Sequence, residues 1–100
     1  MGDGRPSAAT VRLPGPLRDR AGRRASVDAQ GETVRAIVDD LERQFPGMRF
    51  ALCEETGNVR PFVNIFLEND NIRDLRGLDT PVPEGATLHV LLSVAGGNGT

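Results

Sequence analysis

Residues 31–47 read GETVRAIVDDLERQFPG, and the reading of this stretch decides the fold. Val34, Ile37, Val38, Leu41 and Phe45 recur at i, i+3, i+4, i+7 and i+11, the repeat of one helical face. Arg35, Asp39, Asp40, Glu42 and Arg43 fall on the other side, toward water. Thr33 stands where its hydroxyl can accept from an orphan amide of the first turn. Pro46-Gly47 stops the helix. A helix with one apolar stripe needs a second layer to cover it.

Strand signals on both sides supply that layer. Upstream, Thr10 to Leu13 alternates, with Val11 and Leu13 on one face, and Pro14-Gly15-Pro16 ends it. Arg24 to Ala29 is a second strand with Val27 inward, pairing with the first across a long loop. Downstream, Met48, Phe50 and Leu52 predict a short helical turn that lids one end of the core, and Glu54 to Val59 a polar loop. Pro61 to Glu68 alternates: Val63, Ile65 and Leu67 take one face, Phe62, Asn64 and Phe66 the other. Asn69-Asp70 signals a turn, with Ile72 beginning a short partner strand. Arg73 to Glu84 reads as irregular, with Leu75, Leu78 and Val82 available to pack. Thr87 to Val94 is the last strand, with Leu88, Val90, Leu92 and Val94 on one face and His89, Leu91 and Ser93 on the other. The expected organisation is a disordered lead over residues 1–9, one α+β domain over 10–94, and a flexible tail over 95–100. The sheet is expected to be mostly antiparallel, with one long helix on one face and the other face partly open.

Composition narrows the function classes. One hundred residues make one domain, burying about 60–65% of the unfolded surface. No stretch approaches the ~20 apolar residues of a membrane span, and the opening MGDGRPSAAT has no apolar run of a secretory signal. One cysteine leaves no internal disulfide and no multi-cysteine metal site. A cytoplasmic setting is the expectation. All twelve basic residues are arginine. Residues 1–30 hold six of them against three acids, and residues 31–100 hold six against eleven, which sums to the net charge of −2. Arg18, Arg20, Arg23 and Arg24 form a basic stripe without interleaved aromatics. It reads as a solvated hairpin edge that discourages edge pairing, not as a nucleic-acid surface.

Three further stretches carry a resemblance. They are Gly31-Glu32-Thr33-Val34; Pro61-Phe62-Val63-Asn64-Ile65-Phe66 followed by Asn69-Asp70, Ile72-Arg73 and Gly77-Leu78-Asp79-Thr80; and Val94-Ala95-Gly96-Gly97. In this element order they resemble the β-grasp, ubiquitin-like sulfur carrier family, most nearly its cysteine-synthesis type. The resemblance covers residues 10–97 and implies a mixed sheet grasping one long helix. It implies that the chain is not an enzyme, binds no cofactor or metal, and serves as a co-substrate. An activating enzyme that consumes ATP would form an acyl-adenylate on Gly97, and a sulfur donor would convert it to a thiocarboxylate. Asn98-Gly99-Thr100 follows Gly97, whereas the family's working form ends on the second glycine. The resemblance therefore implies a precursor cut between Gly97 and Asn98 by a metallopeptidase. Val94, Ala95 and Gly96 would thread the channel to the nucleotide, and Gly96 and Gly97, which lack a Cβ, can take the backbone angles a narrow channel demands. A sulfur-accepting biosynthetic enzyme would complete the partner set, with neither nucleic acid nor membrane in it.

The partner face is expected at Phe62, Phe66 and Leu91, which lie opposite the core set. His89 is expected beside them on the strand surface. Cys53 reads as a buried structural thiol whose acidic neighbours Glu54 and Glu55 raise its pKa. Asp39-Asp40 reads as a solvated face, since adjacent helical residues point ~100° apart. Gly96-Gly97-Asn98-Gly99 is no phosphate loop, lacking a lysine and a following helix. The other readings are a protein modifier joined to target lysines, the small subunit of molybdopterin synthase, and a plain binding module in which Gly-Gly is incidental.

Overall fold

A computed structural model of the protein describes residues 8–93. The 31–47 stretch forms the long helix α2 (Val34–Gln44), with Thr33 Oγ1 accepting from the Ala36 amide at 3.2 Å. Val34, Ile37, Val38 and Leu41 are buried and Phe45 packs at the margin. Around it run β1 (Ala8–Arg12), β2 (Ser26–Gln30), β3 (Val63–Leu67), the short β4 (Asp70–Asn71) and β5 (Thr87–Leu92). The sheet order is β2-β1-β5-β3-β4. The two terminal strands, β1 and β5, pair in parallel at its centre, and every other neighbour is antiparallel. The fold is the mixed sheet with one long helix expected from the resemblance. Two short helices, α1 (Gly15–Arg18) and α3 (Met48–Leu52), accompany it.

Alternation sorts the strands as the sequence predicts. Ala9, Val11, Val27, Ala29, Val63, Ile65, Leu88 and Val90 face α2 and are buried. Leu67 and Leu92 pack at the edge of the same layer. Strand ends differ: β1 begins at Ala8, β2 lies over 26–30, β3 spans 63–67, and β5 ends at Leu92. Residues 1–7 and the tail, Val94 included, lie outside the described residues.

Several expectations are corrected. The loop after Pro14 folds as α1 and a 3-10 turn over Asp19–Ala21, burying Leu17 and Ala21. Pro16 does not break α1, because a proline early in the first turn removes an amide that has no helical partner. The arginine stripe therefore sits on this helical connection, where Arg18 Nε donates to the Leu13 carbonyl at 3.0 Å, and not on a hairpin edge. The edge strand β2 is guarded from α2 instead. Gln44 Nε2 donates to the Asp28 carbonyl and Asp40 Oδ2 accepts from the Gln30 amide. Phe50 is 63% exposed while Met48 and Leu52 are buried. Positions i and i+2 of a helix point ~200° apart, so the three cannot share a face. The β3–β4 turn is Glu68-Asn69, one residue earlier than the sequence signal. Glu68 takes a left-handed φ of 55°, and its amide and carboxylate bond the Thr87 carbonyl and amide, each at 2.9 Å. Ile72 opens a 3-10 turn and not a strand, and Leu75 points to solvent.

The outer face of α2 is less idle than its polarity suggests. Partial burial works to raise the Asp40 pKa. Hydrogen bonds from the Gln30 amide, Arg43 and Gln44 outweigh it and hold the carboxyl below its usual range. Glu42 accepts from the Arg49 and Gly47 amides, the start of α3, which lowers its pKa as well. These acids fasten α2 to its neighbours by charge-assisted hydrogen bonds.

Candidate functional site

The open face of the sheet carries the residues singled out from sequence. Phe62 and Leu91 are 45% and 50% exposed, and Phe66 is half-buried. Leu91 pairs with Asn64, and Phe66 pairs with His89. The Ser93 amide donates to the Phe62 carbonyl at 2.7 Å. Leu91 thus stands diagonally between Phe62 and Phe66, within reach of both. The three predicted residues form one apolar patch. His89 is half-buried beside it, and Phe66, Glu68, Asn69, His89 and Leu91 line a shallow groove at its margin. Arg12, on β1, pairs with His89 and extends the face with a positive charge.

The patch borders the end of β5. Ser93 is the last described residue, and Val94-Ala95-Gly96-Gly97 follow it in the sequence. Those four, with Asn98, lie outside the described residues. Two hydrogen bonds hold Ser93: the backbone bond to Phe62, and one from Asn64 Nδ2 to its Oγ at 2.8 Å. Arg73 Nη1 donates to Asn64 Oδ1 at 2.8 Å, and Asn71 Nδ2 approaches the same oxygen at 3.5 Å. Alternation puts Asn64 and Ser93 on this face, but only the fold reveals the contact of Asn64 with Arg73.

The tempting residues elsewhere take ordinary roles. Cys53 is buried, and burial pushes its thiol pKa up. The direction matches the expectation and the cause does not. Glu54 and Glu55 are exposed, while Arg49, Arg35 and Arg60 pull the other way. Asp39 bonds Arg49 at 2.8 Å and Asp40 bonds Arg43 at 2.8 Å, so the pair is partnered. Among the described residues no group of three or more His, Cys, Asp or Glu side chains could hold a metal. Among them, too, no helix is long and apolar enough to cross a membrane.

Comparison with known proteins decides the family. The model of the ThiS family matches residues 11–97, which includes both glycines. The chain belongs to the ThiS family. It is 36% identical over 90 residues to the sulfur carrier protein CysO of Mycobacterium tuberculosis, covering 88% of this chain and 97% of that protein. A chain of the crystal structure of the Amycolatopsis orientalis BexX/CysO complex superposes with a TM-score of 0.83 at 37% identity, covering 89% of this chain and 99% of that one. The small archaeal modifier protein 1 of Methanosarcina acetivorans superposes with a TM-score of 0.80 at 26% identity, covering 94% and 100%. The resemblance to β-grasp sulfur carriers, CysO among them, thus holds across sequence and fold.

Proposed function

We propose that this ThiS-family chain is a sulfur carrier that works through Gly97. Hydrolysis of the Gly97–Asn98 bond frees the Gly97 carboxylate. A separate adenylating enzyme joins that carboxylate to AMP from ATP, releasing pyrophosphate. A sulfur donor then attacks the acyl carbon and AMP leaves. The product thiocarboxylate delivers sulfur to an acceptor in cysteine or other small-molecule biosynthesis. The adenylating enzyme, the metallopeptidase and the sulfur-accepting enzyme supply the catalytic groups, and ATP is bound by the first of these. Phe62, Phe66 and Leu91 are the docking face. Gly97 is four residues on from Ser93, a reach of at most ~14 Å. A partner seated on that face therefore has the reacting carboxylate close by.

The single observation that carries this reading is the family match running through Gly96-Gly97, a few residues past the strand that borders the exposed apolar patch. Gly96 and Gly97 would thread as Val94-Ala95 leads them in, because residues without a Cβ accept backbone angles closed to others. The test is ATP–pyrophosphate exchange by the cognate adenylating enzyme. A chain ending at Gly97 supports exchange, and the chain running on through Asn98 does not. Exchange by neither, with the enzyme active on another carrier, refutes the reading.

The likeness to an archaeal modifier protein favours one alternative, conjugation of the same carboxyl to lysines of target proteins. Bands of raised mass that survive a denaturing gel and vanish in the Gly97→Trp variant would establish it.

A further inference from the structure

We propose that Asn64 is a positioning residue: it ties Ser93 to Arg73 and so sets the direction in which the chain continues toward the reacting glycine. This rests on the carrier reading above.

The hydrogen-bond chemistry is unambiguous at Asn64. Arg73 is donor-only, so the atom of Asn64 facing it at 2.8 Å is the carbonyl oxygen. That assigns the amide NH₂ to the Ser93 hydroxyl, 2.8 Å away. Arg73 is itself fixed. Its Nη2 donates to the Arg60 carbonyl at 2.9 Å, and its own amide donates to Asn71 Oδ1 at 2.9 Å. Arg60 is held in turn, its Nε on the Phe50 carbonyl at 2.8 Å and its guanidinium 4.6 Å from the Phe50 ring centroid. A strap of polar contacts therefore runs from α3 across the end of the sheet to Ser93.

The choice of residue calls for an explanation. Asparagine is depleted in strands, and position 64 lies between Phe62 and Phe66 and opposite Leu91. An apolar side chain there would enlarge the docking patch. The β3–β5 ladder already holds the two strands together. The amide instead adds a second attachment point to Ser93, beside the backbone bond to Phe62. One hydrogen bond leaves a strand end free to swivel, whereas two separated ones fix its orientation. Orientation fixed before docking lowers the entropic cost of delivering the chain to the partner's nucleotide.

The test uses chains ending at Gly97 with Asn64→Leu, Ser93→Ala or Ser93→Thr, assayed with the cognate adenylating enzyme. Losing one neutral hydrogen bond corresponds to about a three- to tenfold change. We expect kcat for pyrophosphate exchange to fall by about that factor in Asn64→Leu and Ser93→Ala. KM should stay within about twofold in Ser93→Ala, which leaves Phe62, Phe66 and Leu91 untouched, and should not rise in Asn64→Leu, whose leucine extends the patch. Ser93→Thr keeps the hydroxyl and should restore kcat. A rise in KM with kcat unchanged would make Asn64 a docking contact, and unchanged kinetics in both variants would remove its role; either overturns the proposal. If the parent chain is not adenylated at all, the carrier reading fails instead. The enzyme-free arm then decides the present inference. Amide hydrogen exchange at Ser93 should quicken in Asn64→Leu by about the same three- to tenfold, and equal rates overturn the clamp.

Discussion

Replacing Phe62 by alanine should weaken docking to the adenylating enzyme by about thirtyfold. Phe62 is 45% exposed on the open sheet face. A phenylalanine offers roughly 200 Å² in all, so about 90 Å² remains for a partner to cover. At ~25 cal/mol per Å² that area is worth about 2 kcal/mol, the size of an interface anchor. The same substitution strips packing from the covered half of the ring. That costs about 2–3 kcal/mol of the ~5–15 kcal/mol a domain has, so the chain stays folded at 25 °C. The assay is titration calorimetry against the adenylating enzyme, with Phe50→Ala as control. Phe50 is more exposed, at 63%, but lies on α3, which packs with α2. Its loss should leave affinity within about twofold, an exposed substitution away from the docking face. Weakening by Phe50→Ala with Phe62→Ala unaffected would refute the assignment and move docking to the helical side.

Other perturbations test the fold that presents this face. Gly31→Ala places a Cβ 2.7 Å from Ala36 Cβ and 2.8 Å from the Ala36 and Ile37 backbone. Helix α2 must shift, and urea denaturation should report a loss of about 1–3 kcal/mol. Gly15→Ala, with nothing within 4 Å, should stay within about 0.5 kcal/mol. Asp40 and Glu42 have folded pKa values below their ordinary 3.8 and 4.5. The stability they add is full above those ordinary values and is lost as pH falls through the lowered ones. Asp40→Asn should flatten the acid limb of a stability–pH curve, and an unchanged limb would count against the Gln30–Asp40 tie. The Cys53 thiol, buried with its pKa raised, should resist iodoacetamide in the folded chain at pH 8 and react at once in urea.

Periodic burial is legible in the sequence itself. The α2 stripe and the two faces of β3 and β5 follow from repeats of 3.6 and 2.0 that local sequence carries. The Phe62–Phe66–Leu91 patch followed from the same alternation. The helical turn in the β1–β2 connection was hidden behind Pro14-Gly15-Pro16, where strand-stopping and helix-starting signals coincide. Phe50 departs from the expected lid because Met-x-Phe-x-Leu alternates at a strand's period while the segment is a helix. Arg73, Asn64 and Ser93 are 9 and 29 residues apart in pairwise bonds. No local pattern announces such a contact, because the chain's return through the 3-10 turns and β5 creates it. Asp40 and Glu42 likewise look solvated in the sequence, where a capping carboxylate and a free one are alike.

The most direct measurement is the intact mass of the protein purified from its own cells. The account predicts a chain ending at Gly97, with a fraction heavier by one oxygen-to-sulfur exchange. A population that keeps Asn98, and stays so after incubation with the adenylating enzyme, ATP and a matched peptidase, would contradict it.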